Sequence, residues 1–241
     1  MMTIQTHKAA KNETVFDLSQ TSVRDLNAFL HQLPDDIPCD PVRVTHLTGD
    51  HSVVAGVDAD LDVQVDGHVG YFCGGMLRQA RLTINGNAGQ GVGSNIETGR
   101  IHVRGDASQS AGATGRGGLL VIEGNASARC GISLKGADIV VKGNIGHLSA
   151  FMAQSGRLVV FGDTGDSLGD SLYEAHIYVR GSVTSLGADC IAKEMRDEHR
   201  KELADLLEAA GEAGRIDVND FTRYGSARQL YNFKVDNIGA Y

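Results

Sequence analysis

The chain has 241 residues, with 31 glycines, three prolines, no tryptophan and a formal net charge of −8. That acidic balance disfavours nucleic acid as a partner, and no window approaches the roughly 20 apolar residues of a membrane-spanning helix. Four cysteines lack any Cys-x-x-Cys pair, and Met1 to Asn12 has no apolar signal core, so the expected location is the cytoplasm.

Residues 1–60 read as an N-terminal cap region with α and β character. Ser22 to Gln32 is expected to be a short helix. Ser22 can cap it, Asp25 sits in its first turn, and Val23, Leu26, Phe29 and Leu30 give it one apolar face. Leu33-Pro34 ends it, and two β-rich stretches follow, Val42 to Leu47 and Ser52 to Val57.

Residues 61–191 are periodic. Gly67, Gly86, Gly105, Gly124, Gly143, Gly162 and Gly181 stand 19 residues apart. Four residues before each glycine stands an aliphatic residue, Val63, Leu82, Ile101, Leu120, Ile139, Leu158 or Ile177. Two residues before it stands another: Val65, Ile84, Val103, Ile122, Val141, Val160 or Val179. Asn or Asp commonly follows the glycine (Asn87, Asp106, Asn125, Asn144, Asp163), which reads as a turn that uses positive φ. A small residue recurs seven positions on, and an apolar column ten positions on is broken by Gly115.

A fixed period near 20 residues is the mark of a stacked repeat. The expected fold is all-β: a right-handed parallel β-helix, a single-stranded solenoid of seven coils with 19 residues each, roughly 34 Å long at about 4.8 Å per coil. A left-handed hexapeptide helix would want 18 residues per coil with even spacing, and the calcium-binding nonapeptide pattern is missing. Both ends need covers for their unpaired backbone groups. Residues 192–241 are expected to supply a helix and an extended docking tail. Ile191, Met195, Leu203, Leu206 and Leu207 fall at helical spacing, with Asp189 as N-cap and Gly211 as the stop.

Chemistry is harder to find. The glycine loop from Gly86 to Gly93 lacks the Lys-Ser/Thr of a phosphate loop, and its glycines fall on repeat columns. Nine histidines share no column and form no His-x-x-x-His pair. Asp163, Asp166 and Asp170 are better read as turn residues than as a carboxylate pair. Cys73 and Cys130 share a column three coils apart, about 14 Å, beyond disulfide reach. The expectation is therefore no catalytic, cofactor or metal residue in this chain. The outward column between the two aliphatic ones ends in Val121, Val140, Val159 and Tyr178, with Phe161 beside it. A stripe of that kind is covered either by the C-terminal helix or by a partner subunit, which makes these residues interface candidates. Arg104, Glu123 and Lys142 follow in the next outward column, alternating in charge.

The spacing Gly-x-x-Gly-x-x-x-Gly occurs whole at Gly67-Gly70-Gly74 and Gly86-Gly89-Gly93. It resembles the C-terminal β-helix domain of glutamate synthase large subunits. Two stretches, Gly89 to Gly99 and the tail Arg223 to Phe233, resemble the stand-alone β-helix subunit of N-methylglutamate synthase. That resemblance implies a non-catalytic subunit in a three-chain complex. Its partners would be an amidotransferase-like chain and an FMN-binding chain that also carries an iron–sulfur cluster, and the β-helix would space them and help wall an ammonia passage. It adds Arg223, Tyr224, Arg228 and Tyr231 to the interface candidates. Two other readings stand beside it: a scaffold in a formylmethanofuran dehydrogenase or formyltransferase/hydrolase complex, and a stand-alone polysaccharide enzyme.

Overall fold

The computed structural model describes residues 13–229. Its elements are β1 (Thr14–Asp17), α1 (Val23–Leu30), β2 (Val42–Thr45), β3 (Asp62–Val65), β4 (Arg81–Ile84), β5 (Arg100–Val103), β6 (Leu119–Ile122), β7 (Lys135–Val141), β8 (Ser155–Val160), β9 (His176–Val179), β10 (Cys190–Lys193), α2 (Asp197–Ala209), a 3₁₀ turn (Val218–Asp220) and β11 (Thr222–Ser226). The strands form one sheet in the order β1-β2-β3-β4-β5-β6-β7-β8-β9-β11-β10.

The fold is a parallel β-solenoid of seven 19-residue turns. From β3 to β9 each strand pairs in parallel with the next, and the register advances by one period. Val63 faces Leu82, Leu82 faces Ile101, and the series runs on to Ile177. A second parallel ladder links Val69, Ala88, Ala107, Ala126, Ile145, Thr164 and Val183, two residues after each repeat glycine. Both aliphatic columns are buried in every coil. Strand periodicity of two sends them inward together, and their stacking makes one continuous apolar core.

The repeat glycines are there for a reason other than the expected turn geometry. Of the seven, only Gly67 has a positive φ. What the others lack is room. A Cβ on Gly124 would overlap Asp106 Oδ1 and lie 2.9 Å from the Gly105 carbonyl oxygen; one on Gly143 would lie 2.7 Å from the Gly124 carbonyl oxygen. Adjacent coils touch backbone to backbone at this column. The Asn/Asp residues beside it are likewise not positive-φ residues. They form a ladder in which each side-chain oxygen accepts the backbone N–H of its counterpart one coil on. Asp106 N–H donates to Asn87 at 3.0 Å, Asn125 N–H to Asp106 at 2.7 Å, Asn144 N–H to Asn125 at 2.9 Å and Asp163 N–H to Asn144 at 2.8 Å. The ladder ends where Asp163 accepts from Ser182 N–H at 2.7 Å. Left-handed backbone falls instead on the columns five, seven and nine residues on; in the middle one Gly93, Gly112 and Gly131 have φ of +65°, +67° and +68°, and Ala150 holds the same conformation at φ +56°.

The stack begins before the period does. β2 pairs with β3 through Val42↔Val63, and β1 pairs with β2 through Thr14↔Val42, both in parallel. Ser52 to Val57 is a turn rather than a strand, with Ser52 and Val54 at positive φ. α1 forms as expected, with a reciprocal capping box between Ser22 and Asp25 and with Leu26 and Leu30 buried. It also closes the open edge. Asn27 donates to the Ser52 carbonyl at 2.8 Å and accepts from Val54 N–H at 3.0 Å, and His31 Nε2 lies 2.8 Å from the Ala55 carbonyl.

At the other end the expected helix start moves. Asp189 does not cap α2; residues 190–193 form β10, Ile191 is 42% exposed, and the helix starts at Asp197. β11 inserts antiparallel between β9 and β10 (Tyr224↔Ile177 and Gly225↔Ile191), which ends the parallel ladder. Gly211, at φ +85°, stops α2 as expected.

Candidate functional site

The outward stripe is internal to the chain. Val121, Val140, Val159 and Tyr178 are fully buried beneath α2, packed with Leu203, Leu206, Leu207, Ala210 and Phe221. Phe161 meets Phe221 edge-on, with ring centroids 5.9 Å apart. As an exposed docking surface for a partner, these five positions are therefore corrected. The covering element is the chain's own amphipathic helix, and each large side chain it buries contributes roughly 1.5–3 kcal/mol. Polar contacts fix the helix along its length. Lys142 pairs with Glu123 at 2.8 Å and with Glu212, just past the helix, at 2.5 Å. Arg100 donates to the Ala209 carbonyl at 2.5 Å, a cation placed on the negative end of the helix.

Near the start of α2, Glu202 gathers the outer strands. It accepts from Tyr178 Oη at 2.6 Å and contacts His176 Nδ1 at 2.9 Å. Burial works against its charged form, but the bonds from His176 and Tyr178 and the charge of Arg157 outweigh burial and hold its carboxyl at about 2. Burial, and then the bond to Glu202, push the Tyr178 hydroxyl well above its ordinary range. Arg157 makes a two-pronged pair with Asp138, at 2.6 and 2.5 Å.

Beside this network lies a polar cleft of about 380 Å³, between the β9–β11–β10 edge and the start of α2. Lys193, Arg196, Arg223 and Arg228 supply its cationic lining, with the imidazoles of His176 and His199 beside them, against Glu174 and Glu198. Arg228 pairs with Glu174 at 2.8 Å, and Arg196 with Glu194 at 3.3 Å. Of the tail residues singled out in the sequence, Arg223 and Arg228 therefore meet in one cleft. Tyr224 packs into the sheet against the core, and Tyr231 lies outside the described residues. Lys193, Arg196, His176 and His199 carried no sequence signal, because they come from separate segments that only β11 and α2 bring together.

The three aspartates weighed as a carboxylate cluster serve the backbone and neighbouring hydroxyls. Asp163 holds Ser182, Asp166 accepts from Ser185 Oγ at 3.0 Å, and Asp170 accepts from Ser171 Oγ at 2.8 Å. Cys73 and Cys130 are free and buried, and burial pushes each thiol up to about 12. No group of three or more His, Cys, Asp or Glu side chains converges as a metal site among the described residues. No described helix is long and apolar enough to cross a membrane.

No family model matches this sequence. Protein GlxC of Rhizobium meliloti (strain 1021) is 56% identical over 227 residues, which cover 94% of this chain and 99% of that relative. The chain belongs to the GlxC family. A chain in the crystal structure of the formyltransferase/hydrolase complex (FhcABCD) from Methylorubrum extorquens, in complex with methylofuran, matches this GlxC-family chain with a TM-score of 0.51 at 24% identity. The match covers 66% of this chain and 69% of the other. At that identity the likeness is one of fold.

Proposed function

We propose that this chain is a non-catalytic scaffold subunit of a heteromeric glutamate-synthase-like complex, of the kind that makes N-methylglutamate from methylamine and glutamate with release of ammonia. The amidotransferase-like and FMN-binding chains would dock on the outside of the solenoid, and FMN and an iron–sulfur cluster would reside in the flavin chain. The observation that carries this reading is the pair of family-like segments, Gly89 to Gly99 and the tail from Arg223, on a solenoid whose candidate aspartates are engaged in its own hydrogen bonds. Stacked coils with ladder hydrogen bonds make a stiff spacer.

The docking surface, in this reading, is the turn corner rather than the stripe under α2. Tyr71, Phe72, Met76 and Met152 are each about half exposed there, at 50%, 49%, 54% and 46%. Phe72, Met76 and Met152 hold φ of +58°, +56° and +53°. Bulky residues at positive φ cost roughly 1–2 kcal/mol each, and such strain on exposed apolar residues supports an interaction role.

Affinity purification of the tagged full-length chain from its native cells tests the proposal. The expected result is co-purification of an amidotransferase-like chain and a yellow, FMN-containing chain in fixed ratio. The fold likeness to the formyltransferase/hydrolase complex supports a second reading, a scaffold for formyl transfer, and recovery of formyl-transfer chains without flavin would favour it. A chain that purifies alone and turns over a polysaccharide would refute both.

A further inference from the structure

We infer that the cleft between the β9–β11–β10 edge and the start of α2 is a binding site for a small oxyanion, a carboxylate or a phosphate group. Six cationic or imidazole side chains converge there in a chain whose net charge is −8. The carboxylates present are largely committed. Glu174 is bonded to Arg228, and Glu198 lies between Arg196 at 3.6 Å and His199 at 3.7 Å. Glu202, on the neighbouring turn of α2, is held by Tyr178 and His176.

Arg223 and Lys193 stand apart from that pairing. Among the described residues Arg223 makes one long bond, from Nη1 to the Glu194 carbonyl at 3.4 Å, and its Nε is buried without a partner. Lys193 faces Arg223 across the β10–β11 pair and has no ion pair among the described residues. A guanidinium presents a planar fork that fits two oxygens of a carboxylate or phosphate, and a second cation beside it raises the local attraction for the same charge. The volume, about 380 Å³, suits a small molecule. The field is felt at the back of the cleft: burial, then the charges of Arg223 and His176, lower the His199 imidazole below its ordinary value. An anion seated against Arg223 would cancel part of that field.

His199 is therefore a built-in reporter. Histidine ring signals of the full-length chain are followed by NMR from pH 5 to 8, at constant ionic strength, with inorganic phosphate or with succinate. The His199 signal is assigned by its loss in His199→Gln. The expected result is that one anion moves the His199 midpoint up by about half a pH unit and does so saturably, since one neutralised neighbouring charge is worth at least about that much at a buried imidazole. Phosphate alone acting identifies a phosphate site, and succinate alone a carboxylate site. Arg223→Gln should raise the midpoint by itself and remove the anion response. Lys193→Gln, outside the helix contact, should weaken the response at least threefold with the fold intact. A midpoint that neither anion moves, or an anion response that survives unchanged in both variants, overturns the inference.

Discussion

The two glycine columns make opposite demands on the chain, and a pair of alanine substitutions separates them. Gly131 has φ +68°, and the atom nearest to a Cβ added there is Ile139 Cδ1 at 3.4 Å, an ordinary contact. Gly131→Ala should therefore cost only the left-handed backbone penalty, about 1 kcal/mol. Ala150 already occupies the same column at φ +56°, so the solenoid tolerates that change. Gly124 has no positive φ, but its added Cβ would overlap Asp106 Oδ1 and crowd the Gly105 carbonyl at 2.9 Å. Relief requires breaking the 2.7 Å bond from Asn125 N–H to Asp106, worth about 1.5–3 kcal/mol for a charged acceptor, and parting two stacked backbones. Gly124→Ala should cost about 3–5 kcal/mol in total. For a domain of this size 1 kcal/mol shifts the melting temperature by roughly 2–4 °C. Calorimetry or far-ultraviolet circular dichroism should show Gly124→Ala melting about 10 °C below the parent and Gly131→Ala about 3 °C below. Equal losses, or a larger loss at Gly131, would refute the claim that backbone contact rather than dihedral angle fixes the repeat glycines.

Val140→Asp would bury an unpaired charge under α2. Hydrogen exchange should show α2 losing protection while β3 to β7 keep theirs, and loss of protection throughout would contradict a helix that docks on a preformed solenoid. Glu202 has its folded-state pKa held at about 2, below the ordinary 4.5. Its contribution is thus full above about pH 4.5 and fades as pH falls toward 2; Glu202→Gln should destabilise by about 1–2 kcal/mol at pH 7, with the gap in urea midpoints closing in acid. Ellman's reagent should modify only the half-buried Cys39 in the native chain and all four thiols in denaturant, because Cys73, Cys130 and Cys190 are buried and burial pushes each up to about 12. Met76→Asn places at φ +56° the residue that Asn95 supplies one coil on; it should leave the melting temperature unchanged or raised, yet weaken co-purification of partner chains if the turn corner is their seat.

The solenoid was legible because one periodicity encodes it: two aliphatic columns and a glycine at constant spacing leave few other ways to bury the core. The meaning of the glycine column was not legible. A glycine needed for positive φ and one needed for coil-to-coil contact look alike in a sequence, and only the distance from Gly124 to Gly105 tells them apart. The first coil escaped notice for a related reason. Val42 pairs with Val63, off the 19-residue step, so a strict period passes over it. The sequence offered two covers for the Val121–Tyr178 stripe and had no means to choose, since hydrophobic spacing says that a helix is amphipathic and not where it docks. The helix start was misplaced because Ile191 continues the helical spacing on paper, whereas its segment is taken by β11 as a strand partner. The cleft was invisible apart from Arg223 and Arg228, because its other members meet only through tertiary contact.

The central claim, that this GlxC-family solenoid is a rigid post and the chemistry belongs to its partners, is tested most directly by reconstitution. N-methylglutamate formation from methylamine and glutamate is assayed with the solenoid chain alone, with the amidotransferase-like and flavin chains alone, and with all three. Turnover is expected only when all three are combined, at a rate that saturates at a fixed ratio of solenoid to flavin chain. Turnover by the isolated solenoid chain, or full activity from the other two without it, would contradict the claim.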